Sequence, residues 1–204
     1  MRRSMRQSIV VLFMLWSGVC HAADILVFGD SLSAGYGLRA DQAWPALLQR
    51  KLGKEGYKQQ VINASVSGET TAGGKTRLPT ALAQHKPRVV VIELGANDGL
   101  RGLPIKLMTD NLGAMARTAQ EAGAKVVIIG MRLPPNYGPS YTEKFQQSFG
   151  AVAKTEGASL VPFLLEGFAQ KRDLFQADGV HPIAEAQPLI VENVWGVLKP
   201  LLKR

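Results

Sequence analysis

The sequence has only one cysteine, Cys20, and this residue lies in a segment that we predict to be removed. The mature protein is therefore expected to have no disulfide, so that its fold depends on a hydrophobic core. Hydrophobic residues make up 46% of the 204 residues, which is enough for one domain with a full core. We expect that domain to extend from residue 23 to residue 204.

The sequence also lacks an apolar run long enough to cross a bilayer. Three arginines within the first six residues precede a short apolar segment at residues 9–16, and Cys20-His21-Ala22 offers a cleavage site with small residues at its outer positions. This pattern predicts a secretory signal peptide over residues 1–22 rather than a membrane anchor. Cleavage near Ala22 would send the protein to the periplasm or out of the cell, and would lower its formal net charge from +8 to +5.

Several patterns of common functional classes are missing as well. No lysine- or arginine-rich run and no stripe of basic and aromatic residues occurs, so nucleic acid is not an expected partner. The absence of Gly-x-Ser-x-Gly and Ser-x-x-Lys motifs argues against the usual α/β-hydrolase layout and against a penicillin-binding protein. A glycine-rich segment at residues 68–76 has five residues, not four, between its first glycine and its Gly-Lys pair, so nucleotide binding is not expected.

Short apolar strands alternate with amphipathic helices along the rest of the chain. We predict strands near residues 24–28, 60–63, 88–94, 125–129 and 159–162, and helices near residues 44–54, 74–84, 104–122, 140–156 and 184–202. This alternation predicts an α/β fold with a parallel sheet covered by helices on both faces. In open sheets of this kind, ligands bind at the carboxyl ends of the strands.

A candidate nucleophile follows the first strand. Ser31 lies just past the carboxyl end of that strand, and a serine nucleophile needs a histidine as its base. The sequence has three histidines: His21 in the predicted signal peptide, His85 at the end of a predicted helix, and His181. His181 lies three residues after Asp178, so that a single turn can bring the carboxylate onto the imidazole. The sequence therefore favours His181 as the base.

Two further loops offer groups for an oxyanion hole. Gly68 follows the second strand and presents a backbone N–H with no side chain in the way. Asn97 follows the third strand and has a side-chain amide, and the N–H of Ser31 would be a third donor. Each loop alone could be an ordinary turn, since glycine, asparagine and aspartate are turn residues. Together, the polar loops at one edge of the sheet favour a serine hydrolase.

These residues resemble the four sequence blocks of the SGNH hydrolase superfamily, also called the GDSL family. The blocks occur in family order as Gly29-Asp30-Ser31-Leu32, Gly68, Gly95-Ala96-Asn97-Asp98 and Asp178-Gly179-Val180-His181-Pro182. The resemblance covers essentially the whole mature chain, and within the superfamily it points to a group of periplasmic multifunctional thioesterases, arylesterases and lysophospholipases. One departure is Ala96, where close relatives often have glycine.

The resemblance implies a three-layer, flavodoxin-like α/β/α sandwich with about five parallel strands in the order 2-1-3-4-5. It also implies that Ser31 is the nucleophile, His181 the base and Asp178 the partner that orients the base. Ser31, Gly68 and Asn97 would form the oxyanion hole. No metal and no cofactor is implied.

The implied substrates are small acyl esters, including aryl esters, and acyl thioesters. Lysophospholipid at a membrane surface is a further implied substrate. The protein is expected to be a monomer. The acyl chain needs an apolar groove. The residues that are candidates for lining this groove are Leu100, Leu103, Leu133, Pro134 and Tyr137. The alternative is that these side chains only pack the loops against one another. Two alternatives remain open: a carbohydrate O-deacetylase of the same superfamily, and a catalytically silent periplasmic binding domain.

Overall fold

The computed structural model describes residues 25–202, which build a five-stranded parallel sheet in the order β2-β1-β3-β4-β5. The strands are β1 (Ile25–Gly29), β2 (Val61–Asn63), β3 (Val89–Glu93), β4 (Lys125–Ile129) and β5 (Ser159–Val161). Every residue of β1 and β3 is buried, because these strands have neighbours on both sides and helices on both faces. The predicted α/β fold and strand order are confirmed.

Seven α-helices lie within the described residues. They are α1 (Ser31–Ala34), α2 (Trp44–Lys54), α3 (Thr71–His85), α4 (Ala96–Leu100), α5 (Ile105–Glu121), α6 (Pro139–Glu156) and α7 (Gln187–Leu198). Helix α2 packs against α7, while α5 packs against both α3 and α6, which gives two helical layers around the sheet. Helix α2 buries Trp44, Leu48 and Leu52, four residues apart, and has Pro45 in its first turn.

Several element boundaries differ from those predicted. The short helices α1 and α4 were not predicted, and each begins within three residues of a strand end. Helix α3 begins at Thr71 rather than near residue 74, because the Thr70 side chain caps it and Asp98 accepts a hydrogen bond from the Thr71 N–H. The segment predicted as one helix at residues 184–202 consists of three parts. Helix α7 forms its centre, and a 3₁₀ turn lies on each side of it, at Ala184–Ala186 and at Lys199–Leu201.

No helix between residues 25 and 202 is long and apolar enough to span a membrane. The predicted signal peptide, residues 1–22, lies outside the described residues, and it stays a prediction.

Candidate active site

Ser31 lies at the carboxyl end of β1, in a turn that tightly constrains it. The Asp30 side chain caps α1 by accepting a hydrogen bond from the Leu32 N–H at 3.1 Å. Gly35 ends this helix in a left-handed conformation, with φ of 77°, which glycine adopts without strain. The result is a half-buried serine hydroxyl at the edge of the sheet where ligands bind in open α/β folds.

Ser31, His181 and Asp178 form a continuous chain of hydrogen bonds. The Ser31 Oγ lies 2.8 Å from the His181 Nε2, and the His181 Nδ1 lies 2.7 Å from the Asp178 Oδ2. The other Asp178 oxygen accepts from the backbone N–H groups of Val180, at 2.9 Å, and His181, at 3.0 Å. The tight turn expected from the three-residue spacing is therefore present, and the fold brings it to a serine 150 residues away in the sequence.

The charge of Asp178 is stabilised by the same turn. The backbone N–H of His181, assisted by the imidazole and by the Val180 N–H, lowers the pKa of Asp178 to about 2. A carboxylate that stays ionised accepts the Nδ1 proton, which leaves the Nε2 of a neutral imidazole free to accept a proton from Ser31.

Two backbone N–H groups, of two residues that line the cavity, are available as donors. Among the residues that the structure describes, neither the Ser31 N–H nor the Gly68 N–H donates a hydrogen bond. Gly68 has a φ of 77°, so a side chain there would strain the loop. Both residues, like Asn97, line one cavity.

The Asn97 amide is already engaged. Its Nδ2 donates to the Asp30 Oδ2 and to the Glu69 carbonyl, both at 3.0 Å. The carboxamide thus links the Ser31 turn to the loop that carries Gly68. Ala96, in the first turn of α4, is buried, and its methyl group does not prevent these contacts.

The cavity beside Ser31 has a volume of about 570 Å³ and is mainly apolar. Three of the residues predicted to bind the acyl chain line it: Leu100, Leu133 and Pro134. The other two, Leu103 and Tyr137, are not part of its lining. The Tyr137 hydroxyl instead donates to the Leu100 carbonyl at 2.9 Å, so that Tyr137 supports the wall from behind.

Sequence reasoning missed one wall of the cavity. It is formed by apolar side chains from the segment between β5 and α7, including Phe163, Leu165 and Phe175. The sequence signal that could have indicated this wall is the concentration of apolar residues in a segment with neither helical nor strand periodicity.

Two buried carboxyl groups lie behind Ser31. Burial raises the pKa of Asp30 to about 6, against the opposing effects of the Leu32 N–H, the His181 charge and the Asn97 amide. Burial, and then the charge of Asp30, raise the pKa of Glu93 well above its usual range. The Glu93 Oε2 accepts from the Ser33 hydroxyl at 2.7 Å. Glu93 ends an apolar strand, and its contact with Ser33 was not predicted.

No group of three or more histidine, cysteine, aspartate or glutamate side chains within the described residues is arranged to hold a metal ion.

The chain is similar to known enzymes over most of its length. Residues 27–187 match the GDSL-like lipase/acylhydrolase family. The esterase TesA of Pseudomonas aeruginosa is 55% identical over 181 residues, which cover 89% of this chain and 90% of that protein. The thioesterase 1/protease 1/lysophospholipase L1 of Escherichia coli K12 is 43% identical over 182 residues, or 89% of this chain and 86% of that protein.

A solved structure has the same fold. The psychrotrophic esterase EstA from Pseudoalteromonas, inhibited by monoethylphosphonate, superposes with a TM-score of 0.83 at 44% identity, and covers 86% of this chain and 96% of its own. The family match extends over the segments that carry Ser31, Asn97 and His181. The chain therefore belongs to the GDSL-like lipase/acylhydrolase family.

Proposed function

We propose that this protein is an exported hydrolase that cleaves carboxylic esters and acyl thioesters through an acyl-enzyme on Ser31. The observation that carries the proposal is the hydrogen-bonded chain from Ser31 through His181 to Asp178 at the mouth of an apolar cavity. A binding site needs no such chain, whereas a serine nucleophile does.

In the first half of the reaction, the Ser31 Oγ attacks the carbonyl carbon of the substrate and its proton passes to the His181 Nε2. The tetrahedral intermediate then collapses, the bond to the alcohol or thiol breaks, and the leaving group takes the proton from His181. Asp178 stabilises the imidazolium that forms between these steps. The products are an acyl ester of Ser31 and a free alcohol or thiol.

In the second half, a water molecule attacks the acyl-enzyme and gives its proton to His181. The bond between the acyl carbon and the Ser31 Oγ breaks, and the oxygen recovers the proton from His181. The carboxylic acid leaves, and the enzyme returns to its starting state.

The proposed oxyanion hole consists of the N–H groups of Ser31 and Gly68, with a contribution from the Asn97 amide. The two backbone donors suit this role because neither is engaged within the described residues. The Asn97 Nδ2 already has two acceptors, so that it must share a hydrogen with the oxyanion or release the Glu69 carbonyl. We therefore assign the larger share of charge stabilisation to the backbone donors.

The apolar cavity supports a substrate with a hydrophobic acyl or aryl group. Its lining is mainly apolar, which suits a long acyl chain better than the hydroxyl-rich sugar of the carbohydrate deacetylase alternative. The names esterase and thioesterase/lysophospholipase of the two relatives point the same way. The predicted signal peptide supports export to the periplasm, and we expect a monomer that accepts small acyl substrates and lysophospholipid at a membrane surface.

Purified protein assayed with p-nitrophenyl esters of two to sixteen carbons, and with matching acyl-CoA thioesters, tests this proposal. We expect turnover of both classes and a preference for chains longer than acetyl. A fluorophosphonate, whose phosphorus is attacked by the Ser31 Oγ with loss of fluoride, should label Ser31 in the wild type and nothing in Ser31→Ala. Cleavage of acetyl esters alone would favour the deacetylase. A protein without turnover or labelling would be a binding domain, and the proposal would fail.

A further inference from the structure

We infer that Tyr36 is a positioning residue for His181, and that its ring holds the imidazole in the plane from which it accepts the proton of Ser31. This inference rests on the proposed function of the same site. The Tyr36 and His181 rings lie 4.5 Å apart between centroids, at an interplanar angle of 38°. Tyr36 also lines the cavity, and it is 53% exposed.

The hydrogen bonds of His181 leave one motion unrestrained. Its two ring nitrogens are bonded in the ring plane, to Ser31 and to Asp178. Such bonds fix the line between the partners, but the ring can still rotate about that line, and this rotation changes the angle at which Nε2 meets the Ser31 hydroxyl. A side chain stacked on the face of the ring opposes this rotation. Within the described residues, the aromatic ring in contact with the imidazole is that of Tyr36, which is tilted by 38° relative to it.

The backbone of Tyr36 is anchored to the nucleophile itself. The N–H groups of Gly35 and Tyr36 both donate to the Ser31 carbonyl at 3.1 Å. Gly35 and Gly37, on either side, have positive φ angles of 77° and 75°, and this reversal turns the tyrosine back toward the site. Any shift of the Ser31 turn would therefore carry the ring with it.

The same residue is tied to the loop that carries the base. The Gln176 Nε2 donates to the Tyr36 carbonyl at 2.7 Å, and the Gln176 backbone N–H donates to the His181 carbonyl at 2.8 Å. A Cβ at position 37 would collide with the Gln176 side chain, so that glycine there allows the close approach. Gln176 thus links the loop that carries Tyr36 to the loop that carries His181, and the Tyr36 ring lies against the imidazole.

This arrangement also matches the charge that develops during the reaction. When His181 accepts the serine proton it becomes a cation, and the face of an aromatic ring attracts a cation. The attraction is strongest in the charged transition state, so that losing the ring should lower kcat more than it raises KM. Since a small misplacement of a reacting group can cost up to about 100-fold in rate, we expect a loss of about 10- to 100-fold.

The test compares Tyr36→Leu, which removes the ring, with Tyr36→Phe, which keeps it. The matched control is Leu107→Ala, which changes another half-exposed apolar side chain, on α5 and outside the cavity. p-Nitrophenyl acetate is the substrate, because its short acyl group makes few contacts with the cavity wall. We expect kcat to fall about 10- to 100-fold in Tyr36→Leu with KM changed less than about threefold, while Tyr36→Phe keeps at least half of the rate. Leu107→Ala should match the wild type.

Proton NMR of the bond between His181 and Asp178 supplies a readout other than turnover. Without the ring, the Nδ1 proton of His181 should exchange with water faster in Tyr36→Leu and remain protected in Tyr36→Phe. Gln176→Leu is a second variant that tests the same contact even where Tyr36→Leu folds poorly, because it leaves Tyr36 itself intact. We expect it to lower kcat by a smaller factor, about three- to tenfold.

If fluorophosphonate labels the wild type at Ser31 and Tyr36→Leu has the same kcat as the wild type, the role of Tyr36 is overturned. The proposed function would be unaffected by that result. A raised KM with unchanged kcat would also overturn the role of Tyr36, because it would make Tyr36 a substrate contact. A wild type that is neither labelled nor active would contradict the proposed function instead, so the two failures are distinguishable.

Discussion

Asp98 accepts two hydrogen bonds from Thr71, one from the backbone N–H at 2.9 Å and one from the hydroxyl at 2.5 Å. Thr71 begins the helix that follows Gly68, whereas Asp98 follows Asn97 directly. This buried pair therefore joins the two loops that carry two of the three proposed oxyanion donors. Asn111 completes the cluster by donating to the Thr71 hydroxyl at 3.2 Å.

Replacing Asp98 with asparagine should damage both stability and rate. An amide NH₂ cannot accept a hydrogen bond, so one buried donor of Thr71 would lose its partner, at a cost of about 1–3 kcal/mol. Both oxyanion loops should loosen, and kcat should fall as well. Urea denaturation and steady-state kinetics measure the two effects.

Asp110→Asn is the matched control for Asp98→Asn. Asp110 is exposed and pairs with Lys106 one turn earlier in α5. Exposed pairs of this kind contribute about 0.5 kcal/mol or less, so this variant should be nearly as stable as the wild type. Equal losses of stability and of kcat in Asp98→Asn and Asp110→Asn would mean that the hydrogen bonds between Asp98 and Thr71 contribute no more than an exposed ion pair.

Ser31→Ala and His181→Ala should each lower kcat by about 10⁴- to 10⁶-fold, since the residues of such a triad act as a unit. His85→Ala is the control, because His85 ends α3 and does not line the cavity. It should retain nearly full activity. Comparable losses for His85→Ala and His181→Ala, measured with one aryl ester, would show that the wrong histidine has been assigned.

The sequence was enough to predict the sheet and to bring Ser31, Asp178 and His181 together. Buried parallel strands are continuous apolar runs, and a chain with three histidines leaves few choices for a base. The contacts of Tyr36 and Glu93 could not be predicted in this way. Tyr36 contacts Gln176 and Glu93 contacts Ser33, and these residue types, unlike the serine and histidine of a triad, have no chemical need for each other that a sequence can show. The start of α3 was missed because a tertiary contact, from Asp98, extends that helix.

Asn97→Ala should have a smaller effect than the loss of a fully committed oxyanion donor. A single donor of that kind is worth about 10²- to 10³-fold in kcat. Because the Asn97 Nδ2 also holds Asp30 and the Glu69 carbonyl, we expect a loss nearer 10- to 100-fold together with a lower melting temperature. Kinetics at low temperature, where both proteins are folded, separate the two effects. A full rate in an early-melting variant would leave the backbone N–H groups of Ser31 and Gly68 as the whole oxyanion hole.

Asp30 should make the protein less stable as the pH rises from about 4 to 7. Its pKa is about 6 in the folded state against 3.8 for an ordinary aspartate, so the folded protein binds this proton more tightly than the unfolded chain does. The resulting stabilisation is complete below pH 3.8 and is lost as the pH rises through about 6. A shift of about two pKa units corresponds to about 3 kcal/mol.

The comparison of the wild type with Asp30→Asn, by chemical denaturation at several pH values, measures this effect together with the influence of the Asp30 charge on Glu93. Asparagine keeps an oxygen for the Leu32 N–H but does not titrate, so the stability of the wild type relative to Asp30→Asn should decline between pH 4 and pH 7. Asp41→Asn is the control: Asp41 is exposed, and hydrogen bonding from Arg39 lowers its pKa, so its titration falls below that range. The stability difference between Asp41→Asn and the wild type should stay constant from pH 4 to pH 7. A constant difference for Asp30→Asn as well, or one that grows in favour of the wild type, would mean that burial does not hold a proton on Asp30.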